Sequence, residues 1–260
     1  VKPVLIMGPC SLESRDVAMA VARRLSDFFG GLDREVEWMF KGSWRKDNRT
    51  AAGSYAGPGL EAGMEMLREV GESFGVRTTT DIHSADQAGP VSEVVDLLQV
   101  PAFLCRQTSL LEAAGETGLP VNVKKGQFMS PANMDGAADK LRRAGCPEVW
   151  MTERGTFFGY GDLVVDLRSL SVMARMSDRV VLDVTHSLQR PGSLGDSTGG
   201  SREYAPQLAR AAAAWGVDGL FLETHPDPGS ALSDSATMLP LEGACAVVRG
   251  ALEHWEGRRE

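Results

Sequence analysis

The sequence predicts a (β/α)₈ barrel, and three observations predict it. Short apolar runs rich in Val, Ile and Leu alternate with amphipathic segments of helical length, eight of each. The strand-like runs are nearly continuous in apolar character, as in parallel strands covered on both faces, and lack the in–out alternation of a half-wet sheet. Eight βα units in 260 residues is also the count and length expected of such a barrel. An open doubly wound sheet is the alternative, but no Gly-x-Gly-x-x-Gly follows the first strand.

Taken in order, strands are expected at 4–7, 36–40, 77–80, 97–100, 121–123, 149–152, 180–183 and 219–222. Helices are expected at 16–28, 59–74, 85–94, 108–117, 131–144, 163–176, 202–215 and 241–255. No composition shift or Pro/Ser-rich linker divides them, so residues 1–260 are expected to form a single catalytic barrel domain. The tract 187–201 is glycine-rich and has no apolar period. It is long for a connection, which marks a functional loop, and it is the expected lid over the site. From Trp255 onward the chain turns polar and is expected to fray.

Composition narrows the function. The formal net charge of -8 argues against nucleic acid or an anionic membrane as partner, so any anion site must be local. No apolar run reaches the length of a membrane span, and residues 4–7, cut off by Gly8-Pro9, are too short for a secretory signal. Cys10, Cys105, Cys146 and Cys245 lie far apart without a Cys-x-x-Cys pair, as expected of reduced thiols in the cytoplasm.

In a barrel the chemistry sits at the carboxyl ends of the strands, so the residues just past each strand are the test. After the first comes Cys10, and after the second a basic loop with Lys41, Arg45, Lys46 and Arg49. Asp81 and His83 follow the third strand, Gln99 and Arg106 the fourth, and Lys124 and Lys125 the fifth. Glu153 and Arg154 follow the sixth, Asp183 and His186 the seventh, and Glu223, His225 and later Asp234 the eighth. The helix-to-strand loops carry only turn residues such as Gly75, Gly118, Gly145 and Gly216. Both ends of a barrel are equally wet, so solubility does not explain this asymmetry.

The strand-end residues divide by charge. Lys41, Lys46, Arg49, Arg106, Lys124 and Arg154 supply enough cation for two phosphates, or for a phosphate and a carboxylate. Cys10, His186, Glu223 and Asp234 offer a thiol, an imidazole and two carboxylates, a donor set for Fe²⁺, Zn²⁺, Mn²⁺ or Co²⁺. Spacing alone leaves ordinary roles open: a small buried hydrophobe for Cys10, a satisfied polar group for His186 and a turn cap for Asp234. Lys124 is open to two readings as well, a phosphate contact or a Schiff-base nucleophile.

Specific strings recur in one order. They are Gly-Pro-Cys-Ser-Leu-Glu-Ser (8–14), Ser-Tyr-Ala-Gly-Pro-Gly-Leu-Glu (54–61), Thr-Asp-Ile-His (80–83) and Gln-Val-Pro-Ala-Phe-Leu-Cys-Arg-Gln-Thr (99–108). Asn-Val-Lys-Lys-Gly-Gln-Phe (122–128), Thr-Glu-Arg-Gly-Thr-Phe-Phe-Gly-Tyr (152–160) and Asp-Val-Thr-His-Ser-Leu-Gln (183–189) come next. Last are Glu-Thr-His-Pro-Asp-Pro (223–228) and Ser-Asp-Ser-Ala-Thr-Met-Leu-Pro (233–240). With these strings the chain resembles the 3-deoxy-D-manno-octulosonate 8-phosphate (KDO8P) synthase family, in its metal-dependent branch, from Gly8 to about Pro240.

The resemblance implies condensation of phosphoenolpyruvate with arabinose 5-phosphate, releasing inorganic phosphate. It implies a role in lipopolysaccharide biosynthesis, a Gram-negative cytoplasm and a homotetramer. Lys41, Ser43, Lys46, Gln99, Lys124, Arg154 and His186 match residues around phosphoenolpyruvate. Asn48, Arg49 and Thr50 match those around arabinose 5-phosphate, and Arg106 matches one lent across a subunit contact. Cys10, His186, Glu223 and Asp234 match the metal ligands, and the metal-free branch has Asn at the place of Cys10. Lys46 and His186, with Asp81 or His83, are the expected catalytic and proton-transfer groups. Four positions depart from the pattern: Trp44 replaces Phe, Asp47 replaces Ala, Thr50 replaces Ser, and Ala56 replaces Arg. Asp47 is expected to weaken the Arg49 contact or to pair with a neighbouring Lys. A synthase of the related DAHP type, a metal-dependent sugar-phosphate aldolase, and a regulator that kept the pocket without turnover are the alternatives.

Overall fold

The computed structural model describes residues 2–47, 55–191 and 199–256. In chain order, β1 (Val4–Gly8) leads to α1 (Arg15–Gly30), β2 (Glu37–Lys41) to α2 (Leu60–Phe74), and β3 (Arg77–Asp81) to α3 (Ala85–Ser92). Next come β4 (Leu97–Val100), α4 (Thr108–Glu116), β5 (Val121–Lys124), α5 (Asp135–Arg143) and β6 (Val149–Glu153). A hairpin of β7 (Thr156–Gly159) and β8 (Asp162–Val164) precedes α6 (Arg168–Met173) and β9 (Arg179–Asp183). A short ribbon of β10 (Gln189–Arg190) and β11 (Gly199–Gly200) leads to α7 (Ala205–Trp215) and β12 (Gly219–His225). β13 (Leu239–Pro240) and α8 (Leu241–Leu252) close the described chain.

The parallel order β1-β2-β3-β4-β5-β6-β9-β12 returns to β1 through β1–β12 pairing, which makes a closed eight-stranded barrel; β13 adds only to the outer end of β12. Closure follows from side chains that are apolar on both faces. Val4, Ile6, Met39, Leu97, Trp150, Val181 and Phe221 fill the barrel, while Leu5, Met7, Leu98, Val123 and Leu182 pack outward against the helices. Each fully buried aliphatic side chain of this kind contributes about 1.5–3 kcal/mol relative to exposure. At the mouth, β1 and β2 approach so closely that a Cβ on Gly8 would lie 2.0 Å from the carbonyl oxygen of Lys41.

The floor is built from a repeated joint. Asp96, Asp178 and Asp218 each precede a strand and accept, at 2.8 Å, the first free N–H of the neighbouring strand: Thr78, Val149 and Val180. Glu37 spans the same end, accepting from Arg77 at 2.5 Å and from Arg179 at 2.9 Å, and the Arg179 guanidinium lies over the Trp150 ring.

Four local readings change. The helix expected at 163–176 is reduced to Arg168–Met173, because the β7–β8 hairpin takes the preceding chain, turned by Gly155 and Gly161 at positive φ. The segments expected to open helices at 131 and 202 are 3₁₀ turns, Pro131–Met134 and Arg202–Tyr204, before α5 and α7 begin. The tract 187–201 is partly regular, with a 3₁₀ turn at His186–Leu188 and the β10–β11 ribbon; residues 192–198, where the lid was expected, lie outside the described residues. Trp255 does not mark a frayed end: it is buried, and Arg34 donates to its carbonyl and to that of Leu252.

Candidate active site

The strand ends bring the four expected metal-ligating residues together. Cys10 follows β1, Glu223 lies within β12, His186 opens the turn after β9, and Asp234 sits at φ +51° in the loop before β13. One ligand atom from each lies within 4.8 Å of the others. The Cys10 thiol donates to Asp234 Oδ2 at 3.0 Å, and His186 Nε2 faces Glu223 Oε2 at 3.4 Å. Asp183 Oδ2 lies 2.7 Å from His186 Nδ1. An ionised carboxylate only accepts, so the ring proton belongs on Nδ1 and Nε2 is left for the cluster, the orientation a metal-bound imidazole needs. Ser233 and Gln189 donate to the two oxygens of Asp234, at 3.0 and 2.7 Å.

Two observations test whether a metal fits. Glu223 Oε1 is buried and, among the described residues, has no hydrogen-bond partner and only the Lys41 ammonium 3.9 Å away, an acceptor left open to a cation. The donor set of sulfur, imidazole nitrogen and two carboxylates suits a borderline transition ion better than Mg²⁺. Both agree with the expectation. Burial, with Glu223 and Asp234 close by, pushes the Cys10 thiol up against the pull of Lys46 and Lys41. Asp234 is brought down to about 2: burial opposes this, but His186, Lys46 and the Cys10 and Ser233 hydrogen bonds prevail.

A layer of cations adjoins the quartet. Lys41, from the end of β2, is buried 2.9 Å from Asp81 Oδ2 and 3.9 Å from Glu223 Oε1. Lys41 and Lys46 both donate to Ser43 Oγ, which in turn donates to Asp81. From Asp81 a relay of side chains crosses the strands: Gln99 donates to Asp81, Asn122 to Gln99 and Thr152 to Asn122. The indole of Trp44 donates to the Asp81 carbonyl at 2.9 Å, so this departure from the family pattern adds a hydrogen bond at the mouth. Lys124 pairs with Asp183 at 2.6 Å and stands 3.6 Å over the Phe221 ring. Arg154 donates through Nη2 to Gln189 at 2.8 Å, whereas its Nη1 is buried without a hydrogen-bond partner among the described residues.

Electrostatics follow from these pairings. Burial works against the Asp81 carboxylate, yet Lys41 and Lys46 hold its pKa far below the ordinary value, so it stays ionised. Burial pulls Lys46 down as well, but Cys10, Glu223, Asp81 and Asp234 raise it overall. For Lys124 burial wins, aided by Lys41, and its pKa falls despite Asp183. Among the described residues the cations of the pocket are met by acids. Lys41, Lys46, Lys124 and Arg154 face Asp81, Asp183, Glu223 and Asp234, and the spare capacity lies in particular atoms, above all Arg154 Nη1. A buried guanidinium nitrogen without an acceptor is matched by a phosphate or carboxylate oxygen.

Other expected residues fall differently. Asn48, Arg49 and Thr50 lie outside the described residues. Arg106 is exposed, beyond the turn that follows β4. His83 is half-buried beside Trp44, its Nδ1 is unpartnered among the described residues, and burial lowers its pKa, so it is neutral near pH 7. Asp47 pairs at 2.5 Å with Arg45, not with a lysine. Lys125 is closed off, bonded to Gly126 O, Gly155 O and Thr156 Oγ1 and lying 3.3 Å from Glu153. Sequence reasoning gave Asp183 and Gln189 no role. Asp183 had a signal, a carboxylate ending a strand three residues before a candidate ligand; Gln189 had none beyond its place in a matching string.

This geometry defines a class: a (β/α)₈ barrel whose mouth is equipped for an anion and fits a transition metal. The chain belongs to the DAHP synthetase I family, whose model matches residues 1–250. It is 50% identical over 251 residues to a protein of Nitratidesulfovibrio vulgaris (strain DP4) named 2-dehydro-3-deoxyphosphooctonate aldolase, covering 96% of this chain and 91% of that one. Proteins of the same name from Desulfatibacillum aliphaticivorans and Desulfotalea psychrophila are each 49% identical over 239 residues. Those matches cover 92% of this chain and 87% and 85% of the relatives.

Proposed function

We propose that the chain is a metal-dependent KDO8P synthase, a single-domain enzyme that joins phosphoenolpyruvate to D-arabinose 5-phosphate in lipopolysaccharide biosynthesis. The observation that carries this reading is the quartet Cys10, His186, Glu223 and Asp234 set directly against Lys41, Lys46, Lys124 and Arg154. The relatives' name supports the substrates, since an eight-carbon deoxy sugar acid phosphate divides into the three carbons of a pyruvyl unit and the five of an aldose phosphate.

The first requirement is to hold two polyanions together. Lys46, Lys124 and Arg154 hold the phosphate and carboxylate of phosphoenolpyruvate, with Arg154 Nη1 as the free donor. Lys41, Ser43 and Gln99 fix this layer through Asp81. Asn48, Arg49 and Thr50 hold the sugar phosphate, and Arg106 is lent to a neighbouring subunit of a homotetramer. C3 of the enol then bonds to the aldehyde carbon, whose oxygen takes a proton. The oxygen of water bonds to C2 and gives up one proton, which balances the one taken by the aldehyde oxygen; as the C2–O bond to phosphate breaks, the second proton passes to the departing phosphate and C2 becomes the ketone carbonyl. His83, neutral with a free Nδ1, is the acceptor of that water proton, while the ionised Asp81 cannot act as an acid. His186 keeps its own proton on Nδ1 against Asp183. A divalent transition ion held by the quartet would supply Lewis-acid polarisation of an oxygen, or a more acidic water.

The test is phosphate release from phosphoenolpyruvate, which is expected only when arabinose 5-phosphate is present. Equal release with erythrose 4-phosphate, or none with either acceptor, would overturn the assignment.

A further inference from the structure

Gln189 ends the His186 turn and opens β10, and its buried side-chain amide touches both halves of the site. Its Oε1 accepts from Arg154 Nη2 at 2.8 Å, and its Nε2 donates to Asp234 Oδ1 at 2.7 Å. The amide has one possible orientation, because a guanidinium only donates and a carboxylate only accepts. The other oxygen of Asp234, Oδ2, accepts from Cys10 and Ser233 inside the quartet, and Arg154 Nη1 is buried without a hydrogen-bond partner among the described residues. The ribbon that carries Gln189 also rests on the Asp234 loop, where a Cβ on Gly200 would lie 2.0 Å from Thr237 Cγ2.

Resting on the synthase function, we propose that Gln189 is a positioning residue that couples phosphoenolpyruvate binding at Arg154 to metal binding at Asp234. An anion on Nη1 anchors Arg154, which fixes the Gln189 amide from one end. The other end then holds Asp234 Oδ1, so Oδ2 is already aimed and less ordering is left for the metal to impose. Polarisation along the guanidinium–amide–carboxylate chain acts in the same sense. By linkage, metal tightens phosphoenolpyruvate binding by the same factor. No other residue type of this size does this: Met at 189 bonds to neither neighbour, and Glu accepts from Arg154 but repels Asp234.

The full-length protein, equilibrated in chelator-buffered Co²⁺, reads this directly through the thiolate-to-cobalt absorption of Cys10. Saturating phosphoenolpyruvate is expected to tighten Co²⁺ binding in the wild type by roughly 5- to 150-fold, the usual range for coupled sites. In Gln189→Met the factor is expected to fall several-fold, leaving only the direct attraction of bound anion and cation, while both ligands still bind. Gln189→Glu serves if Met at 189 compromises folding; it is expected to keep phosphoenolpyruvate affinity and to weaken Co²⁺ binding. An undiminished factor in Gln189→Met, or unchanged Co²⁺ affinity in Gln189→Glu, overturns the coupling while leaving the function intact. Absence of phosphoenolpyruvate binding to the wild type at every Co²⁺ level overturns the function and the coupling with it.

Discussion

The two ends of the barrel both carry charged groups and use them in opposite ways. At the floor, Glu37 commits one oxygen to Arg77 and the other to Arg179, while Asp96, Asp178 and Asp218 each take a strand N–H. At the mouth the charges also pair, yet among the described residues Arg154 Nη1, Glu223 Oε1 and His83 Nδ1 remain buried without hydrogen-bond partners. The difference is incomplete pairing, and a buried donor or acceptor left open costs on the order of 1–3 kcal/mol unless a ligand completes it. Such a cost is tolerated where something binds.

The comparison breaks most visibly if removing an open group leaves turnover intact. Arg154→Met and Lys124→Ala are each expected to lower kcat/KM by about 10²–10³-fold. In Arg154→Met the melting temperature is expected to change little, because loss of a half-satisfied buried guanidinium is offset by the stranding of Gln189 Oε1. Steady-state kinetics with differential scanning calorimetry checks both. Borohydride with either substrate should trap no adduct on the wild type; a trapped adduct would make Lys124 a Schiff-base nucleophile.

Metal removal sharpens the mouth further. Excess chelator is expected to silence the wild type and Co²⁺ or Zn²⁺ to restore it. Cys10→Ser should lose at least about 10–100-fold in metal affinity, measured by equilibrium competition. Cys10→Asn is expected to retain some turnover that chelator does not touch. Full activity of the metal-stripped wild type would reduce Cys10 to a buried thiol.

The floor should respond through folding instead. Asp218→Ala strands the N–H of Val180 and is expected to cost about 1–3 kcal/mol. For a chain of this size that lowers Tm by about 2–4 °C per kcal/mol, with kcat/KM of the folded protein unchanged. A collapse of activity at unchanged Tm would erase the distinction between the two ends. The smallest effect is expected at Asp47, whose pair with Arg45 is exposed and worth about 0–1 kcal/mol. Asp47→Ala should leave activity equal or better; complete loss would give the carboxylate a role that this pairing does not explain.

The barrel was legible because its strands are apolar on both faces, and a run such as Val4 to Met7 reads the same from either side. The β7–β8 hairpin was not, because Leu163 and its neighbours have a helical apolar period, while the turns at Gly155 and Gly161 that override it carry no period at all. At the site, residue type at the strand ends marked the mouth. The grouping of Cys10, His186, Glu223 and Asp234 was one open reading of the strand ends, and only the family strings singled it out, because loops far apart in sequence supply the ligands. The roles of Asp183 and Gln189 were hidden for a related reason. Each acts through a neighbour, and which neighbour it meets is decided by the closed barrel. The floor aspartates look like ordinary turn residues until the strand they cap is known.

The close approach at Gly8 limits how this protein can vary. The atoms that a side chain there would strike belong to the backbone of Lys41, so no change of neighbouring side chain makes room. Position 8 has a one-letter alphabet, and a randomised library selected for soluble protein should return glycine there and little else.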